Sequence, residues 1–340
     1  MIKFSIIIPV FNAAKFIGKC IDSCINQNYK NIEIICVEDC STDNSKEILE
    51  HYQQKDNRIK CVFHLKNESQ YIARRNGFLK SSGDYILFLD SDDTLKLNAC
   101  RLIAKEIKRY NADMVQFGYK LIPKGKKVFP PFYPSAKERV SRYLARENRY
   151  SPQVWTKAYK YSSIKKAFDK MEVFYASGSE DLYTSIVFAF YSESFSLLKK
   201  PLVNYSFDTG WSRKREYSLP IFSSWLSSYN IVVQKTSAFI KKEIPEFSDK
   251  CFDMELYMLK DFIYNRLPFD ISPELKGQFF EILPSYFSEE VIHEFFHETS
   301  FKSREYDTYL NFNVSLRSKI KMGIKYFILF IKSFCGKYVS

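Results

Sequence analysis

Three unbroken apolar runs of strand length constrain this chain more than any other feature. Phe4 to Val10 reads FSIIIPV, Ile32 to Val37 reads IEIICV and Tyr85 to Leu89 reads YILFL. Helical signals separate them. Phe16, Ile17, Cys20, Ile21, Cys24 and Ile25 recur at i, i+1, i+4 and i+5, which makes one helix stripe. Asn44 with Glu47 three residues on can cap a helix to about Lys55. Ile59 to Phe63 reads as a further strand, Ile72 to Ser81 as a helix, Leu95 to Tyr110 as an amphipathic helix and Met114 to Tyr119 as a strand. A solvent-facing strand would alternate polar and apolar residues; these runs do not. They predict an α/β fold whose mostly parallel sheet is covered by helices on both faces.

At 340 residues the chain exceeds one ordinary core. Past about residue 215 the alternation stops, and aromatic-rich helical segments follow at 219–242, 252–266, 273–280 and 291–297. The reading is an α/β domain over 1–215, a helical domain over 216–314 and a basic amphipathic helix over 315–340. Aromatic residues at 17% exclude intrinsic disorder. The N-terminus enters a strand at once and shows no signal-peptide pattern. The eight cysteines are therefore expected to be reduced. No run of 18 apolar residues is present.

Ligands of parallel α/β sheets bind beyond the carboxyl ends of the strands. After Val10 comes Phe11-Asn12. After Val37 comes Glu38-Asp39-Cys40-Ser41-Thr42-Asp43, and after Leu89 comes Asp90-Ser91-Asp92-Asp93. Carboxylates crowded at one sheet edge repel unless a cation sits among them. A hard divalent ion, Mg²⁺ or Mn²⁺, resolves that repulsion and brings phosphate with it. Taken singly, each cluster also reads as a solvated turn capping the next helix. Neither G-x-x-x-x-G-K-[ST] nor G-x-G-x-x-G occurs, so any phosphate must be held by metal and basic side chains.

These segments carry a resemblance. SIIIPVFN at 5–12, VEDCSTDNS at 37–45, ARRNG at 73–77, SGDYILFLDSDD at 82–93 and GSED at 178–181 resemble, in order and spacing, family 2 glycosyltransferases of the GT-A fold. The segment from Ser23 to Asp93 is most similar in look to bacterial lipooligosaccharide β-1,3-galactosyltransferases. The resemblance implies a Rossmann-like sheet and an inverting transfer from a UDP-sugar, with UDP-galactose foremost. UDP-GlcNAc, UDP-GalNAc and UDP-glucose are the alternatives. It implies a surface glycan or glycolipid acceptor.

The resemblance also implies roles for particular residues. Asp39 would accept a hydrogen bond from uracil, with Pro9 and Phe11 lining the base pocket. Asp90 and Asp92, with Ser91 between them, would form a D-x-D motif, the first meeting ribose and the second the metal on the diphosphate. Arg74 would meet phosphate, and Asp181 would be the general base. Glu180, adjacent on a helix, would point about 100° away and not share that task. Trp155 and Lys157 would line the acceptor side; Ser212 and Arg213 would fold over the pyrophosphate. Two positions depart from the family pattern: Glu38 stands where many relatives have Asp, shifting a contact to ribose, and Arg75 where many have Asn.

The net charge of +12 implies an anionic partner without choosing it. Basic residues interleaved with aromatics occur over 120–170, yet no nucleic-acid module is recognisable, so nucleic acid is not the expected partner. A non-catalytic basic protein that binds membrane or nucleic acid is the competing class. Between Ser315 and Tyr338, Arg317, Lys319, Lys321, Lys325, Lys332 and Lys337 alternate with Ile320, Ile324, Phe327, Ile328 and Ile331. That pattern suits an anionic membrane interface, placing the protein peripherally on the inner face of the cytoplasmic membrane; a helix docked on the protein is the other reading. His293-Glu294-Phe295-Phe296-His297 matches H-E-x-x-H, but no third ligand follows in a motif, so an ordinary helix is expected.

Overall fold

The computed structural model describes residues 1–131, 133–145, 152–206, 217–265, 267 and 271–302. The chain divides into two compact units, 1–213 and 214–340.

The first unit opens with the expected alternation: β1 (Phe4–Val10), α1 (Ile17–Ile25), β2 (Ile32–Glu38), α2 (Ser45–Lys55), β3 (Ile59–Phe63), α3 (Gln70–Leu79) and β4 (Tyr85–Phe88). All residues of β1, β2 and β4 are buried, as their unbroken apolar runs require. These four strands are parallel, in the order β3-β2-β1-β4. There follow β5 (Thr94–Leu95), α4 (Ala99–Tyr110), β6 (Met114–Ile122), β7 (Lys127–Val128), α5 (Ala136–Ala145), β8 (Lys157–Lys160), α6 (Tyr161–Lys170), α7 (Glu180–Phe190) and β9 (Phe195–Ser206).

Parallel order ends at β8, which pairs antiparallel with both β4 and β6. The sheet is therefore mixed, in the order β3-β2-β1-β4-β8-β6-β9-β5 with β7 on β6. The helix read from Leu95 begins at Ala99, because Thr94 and Leu95 pair with Asn204 and Val203 of β9. Asn44 precedes α2 but its side chain makes no cap. The neighbouring Asp43 does, accepting the Ser45 N–H at 3.0 Å and Ser45 Oγ–H at 2.5 Å.

Helix α3 lies unusually close to the sheet. A Cβ on Gly77 would come 2.4 Å from Ile7 Cγ2 and 3.1 Å from Val37 Cγ2. Only glycine permits that approach, and it seats α3 against the middle of β1 and the end of β2.

The second unit is helical over its described residues: α8 (Leu219–Glu243), α9 (Lys250–Asn265), α10 (Pro273–Ile282) and α11 (Glu289–Lys302). Phe262 stacks on Phe279 at 5.4 Å, and Phe222, Trp225 and Tyr229 meet these rings edge-on. His293 is exposed on α11; the His297 side chain lies outside the described residues, as does 315–340. No helix among the described residues is long and apolar enough to cross a membrane. Every cysteine in them is a free thiol.

Candidate active site

The loops after β1 and β2 are stitched together. Asn12, at φ +49°, accepts the Thr42 N–H on Oδ1 at 2.8 Å and donates its own N–H to Ser41 Oγ at 2.9 Å. The N–H groups of Ala13 and Ala14 reach Ser45 Oγ and Asp43 Oδ2. Pro9 is buried in β1 and Phe11 half-buried just beyond it. Glu38 ends β2 and accepts the Ser41 N–H at 2.5 Å. It thus braces the turn from which Asp39 projects.

Asp39 is buried and heavily bonded. Oδ1 lies 2.7 Å from His64 Nδ1 and accepts the Glu68 N–H at 2.8 Å, while Oδ2 accepts the Ser69 N–H at 3.0 Å. Asn67 Nδ2 donates to the Asp39 carbonyl at 3.2 Å. The loop after β3 therefore wraps this carboxylate. His64 and the 67–69 loop carry no signal in the motifs; only the fold brings them to Asp39.

The acidic turn 90–93 sits between β4 and β5 and is pinned by the end of β9. Ser206 N–H donates to Asp93 Oδ1 at 2.8 Å, and Ser206 Oγ–H to the Asp92 carbonyl at 2.7 Å. Asp90, Ser91 and Asp92 are half-buried on one turn. Asp93, absent from the motif assignments, is fully buried. Burial, then the Asp90 and Asp92 charges, push its carboxyl up to about 9, and its Oδ2 has no hydrogen-bond partner. Three crowded acids, one of them driven to stay protonated, are an oxygen-donor set that a hard divalent ion would relieve. Among the described residues no group of three side chains forms a ready-made metal cage.

Arg74 ties this turn to α7. Its Nη2 donates to Asp90 Oδ1 at 2.9 Å. Its Nη1 donates to Asp181 Oδ1 at 2.7 Å and to Glu180 Oε1 at 3.0 Å. The guanidinium is buried. Burial opposes its charge, but Asp181, Asp90 and Glu180 together hold its pKa above the ordinary arginine value. Arg74 thus meets carboxylates rather than standing open to phosphate. Glu180 and Asp181, expected to diverge, converge on one nitrogen, because Arg74 reaches in between their two directions. Burial, then the Asp181 charge, push Glu180 up to about 7. Burial also raises Asp181, against the lowering effect of Arg74.

Asp181 keeps 23% of its side chain exposed, whereas Glu180 keeps 5%. Of the two, Asp181 is the carboxylate that a substrate hydroxyl can approach. Ser179, the residue before Glu180, sits at φ +66°, a left-handed entry into α7.

Trp155 lies in the short turn before β8 and Lys157 opens β8, with Lys157 and the Val154 backbone close to Asp181. Trp155 stacks on Tyr205 at 5.0 Å and 7°. Tyr205 is raised by burial, then by Asp93, Asp90 and Asp92, so the ring pair adjoins the acidic turn. Lys157 is fully buried, donates to the Gln153 carbonyl at 2.6 Å and is pushed down to about 7 by burial, with Asp181 acting in the other direction. Ser212 and Arg213 lie outside the described residues.

Known proteins share this mixed α/β fold. The model of Glycosyl transferase family 2 matches residues 5–174, half of the chain. The chain belongs to that family. GlyA of Streptococcus pneumoniae serotype 4, a glycosyltransferase, is 30% identical over 237 residues, covering 64% of this chain and 33% of GlyA. An uncharacterized glycosyltransferase of Haemophilus influenzae is 49% identical over 89 residues, covering 26% of this chain and 36% of its own length. The chain thus spans about a third of these curated relatives. Crystallised residues 1–349 of S. aureus TarS share the fold at a TM-score of 0.65 and 18% identity, over 99% of this chain and 93% of that one.

Proposed function

We propose that this chain is an inverting glycosyltransferase that moves a hexose from a UDP-sugar to a hydroxyl of a bacterial surface glycan or glycolipid. One observation carries the reading: Arg74 joins Asp90, on the donor-side turn, to Asp181, at the start of α7. The two carboxylates that the transfer needs, one at the leaving group and one at the attacking hydroxyl, are thereby held on opposite arms of one rigid cation.

In the transfer, Asp181 accepts the proton of the acceptor hydroxyl as its oxygen attacks the anomeric carbon. The new C–O bond forms while the bond from that carbon to the β-phosphate oxygen breaks. UDP leaves with the electron pair and the anomeric configuration inverts. Asp39, Pro9 and Phe11 would take the base, and Glu38 a ribose contact. Asp90 and Asp92 would hold a divalent cation, which when bound neutralises charge developing on the diphosphate. S. aureus TarS has been crystallised with UDP-GlcNAc and with UDP, which supports a uridine donor. A Pyrobaculum calidifontis mannosyltransferase of related fold, at TM-score 0.51, was crystallised with GDP-Man and Mn²⁺, which supports the cation.

Galactose in β-1,3 linkage to a lipooligosaccharide outer core is the donor and product that the sequence resemblance favours. UDP-GlcNAc, UDP-GalNAc and UDP-glucose are the competing donors. The acceptor side, with Trp155, Lys157 and Glu180 near the base and Ser212 and Arg213 at the pyrophosphate, belongs to the same proposal. So does contact of 315–340 with an anionic membrane at the cytoplasmic face. Slow hydrolysis of a panel of UDP-sugars tests the reading. One sugar cleaved by the wild type and not by Asp181→Asn supports it; no cleavage of any UDP-sugar by the wild type overturns it.

A further inference from the structure

We infer that His64 is a positioning residue for donor-base selection, acting through Asp39; the inference rests on the proposed role of Asp39 at the uracil. The geometry fixes the imidazole on both sides. His64 Nδ1 is 2.7 Å from Asp39 Oδ1, and His64 Nε2 is 2.9 Å from Asn76 Nδ2. An ionised carboxylate only accepts, so Nδ1 carries the proton. In the neutral ring Nε2 is then the acceptor, and the Asn76 amide donates to it. The chain of donation then runs Asn76 to His64 to Asp39, with Glu68 Oε2 3.7 Å from the same Nδ1.

The position of His64 is itself built by the sheet. Its N–H donates to the Glu38 carbonyl at 2.9 Å, extending the β2–β3 pairing by one residue. That places the ring beside Asp39 with 6% of its side chain exposed. Asn76 comes from α3, one residue before Gly77 and two after Arg74. The close seating of α3 on the sheet therefore fixes the His64 side of the donor pocket and the Arg74 side of the catalytic pair together.

Asp39 receives three donors: His64, Glu68 N–H and Ser69 N–H. Two are backbone groups of a loop, and His64 alone comes from a buried side chain locked at both ends. With Glu68 N–H on Oδ1 and Ser69 N–H on Oδ2, the His64 bond fills the second acceptor site of Oδ1 and leaves the open one on Oδ2. A carboxylate so oriented presents one fixed acceptor edge. Uracil offers an N3–H to such an edge, whereas cytosine has only a lone pair at N3 and is repelled. Discrimination of UDP from CDP is thus the property His64 controls, more than the rate of transfer.

Three variants test this, each with UDP and CDP binding by calorimetry and kcat and KM for the best UDP-sugar. His64→Leu removes both nitrogens. It is expected to weaken UDP about tenfold, as for loss of a hydrogen bond to a charged group, and to shrink the UDP-to-CDP ratio, with kcat within about twofold. His64→Asn keeps an N–H near the Nδ1 position and is expected to restore most of the ratio. Asp39→Asn tests the underlying reading by itself and is expected to abolish the ratio. If Asp39→Asn collapses the ratio but His64→Leu leaves it at the wild-type value, His64 has no such role while Asp39 keeps its own. If Asp39→Asn leaves the ratio unchanged, the base-reading role of Asp39 fails, and the inference with it. A fall in kcat matching the loss of melting temperature in both His64 variants, at unchanged ratio, would make His64 merely structural.

Discussion

Arg74 Nη1 lies 2.7 Å from Asp181 Oδ1, while the other nitrogen of the same guanidinium lies 2.9 Å from Asp90 Oδ1. One buried cation therefore spans from the acidic turn after β4 to the first turn of α7. Counting Glu180, it faces three carboxylates, so their mutual repulsion is offset by a single charge. Burial, then the Asp181 charge, raises Glu180, while Arg74 opposes the rise, so the site is sensitive to any change at Arg74.

Arg74→Gln should leave those carboxylates buried without their cation. Removing one partner of a buried ion pair typically costs about 3–5 kcal/mol. Chemical denaturation should show a loss of that order near pH 7 and a smaller one near pH 5, where protonation of Glu180 replaces the missing charge. An equal loss at both pH values would mean that the arginine acts by packing alone.

Asp181→Asn should bind UDP as the wild type does and turn over at least ~100-fold more slowly, the usual scale for a lost general base. The amide keeps an oxygen for Arg74, so the folded state should survive. Circular dichroism melts alongside the kinetics separate the two effects. Turnover within a few-fold of wild type would remove Asp181 from the proton transfer.

Glu180 sets a pH dependence of stability. Its carboxyl is raised from an ordinary 4.5 to about 7, first by burial and then by Asp181. The folded chain thus binds the proton more tightly than the unfolded chain between those values. Stability that Glu180 confers is fully present below about 4.5 and is lost as pH rises toward 7. Glu180→Gln should flatten this part of the stability profile. A profile unchanged from wild type across pH 4.5 to 7 would show that Glu180 titrates normally.

Gly77→Ala should be destabilising by about 1–3 kcal/mol, because the new methyl would press on Ile7 and the sheet is packed too tightly to yield. Lifting α3 displaces Arg74 and Asn76 together, so UDP binding and turnover should fall in step. Loss of stability with both functions intact would uncouple α3 seating from the site.

The parallel half of the sheet was legible because burial on both faces forces unbroken apolar runs. Phe4 to Val10 matches its strand end for end, and Ile32 to Val37 and Tyr85 to Leu89 each differ from theirs by one residue. The antiparallel insertion of β8 was not legible, since Lys157 to Lys160 is short and begins and ends in lysine. The site divides the same way. Asp39, Asp90 and Asp92 stand in acidic clusters just past strand ends, while Asp181 stands out only through the resemblance of GSED to the family pattern. His64 meets Asp39 across 25 residues, and Ser206 meets Asp92 and Asp93 across more than 100, which no local pattern records. Arg74 stood out through the resemblance, as a cation 16 residues before Asp90. Its bonds to Glu180 and Asp181 were not, because they span 106 and 107 residues.

The most direct test of the central claim is a calorimetric titration of UDP into the intact chain, with Mn²⁺ and with a chelator, repeated on Asp92→Ala. A UDP-sugar transferase that holds its diphosphate through a cation at Asp90 and Asp92 should bind UDP markedly more tightly with Mn²⁺. In Asp92→Ala that gain should be lost. Equal affinity with Mn²⁺ and with chelator in the wild type would contradict the cation, and no UDP binding under either condition would contradict the account as a whole.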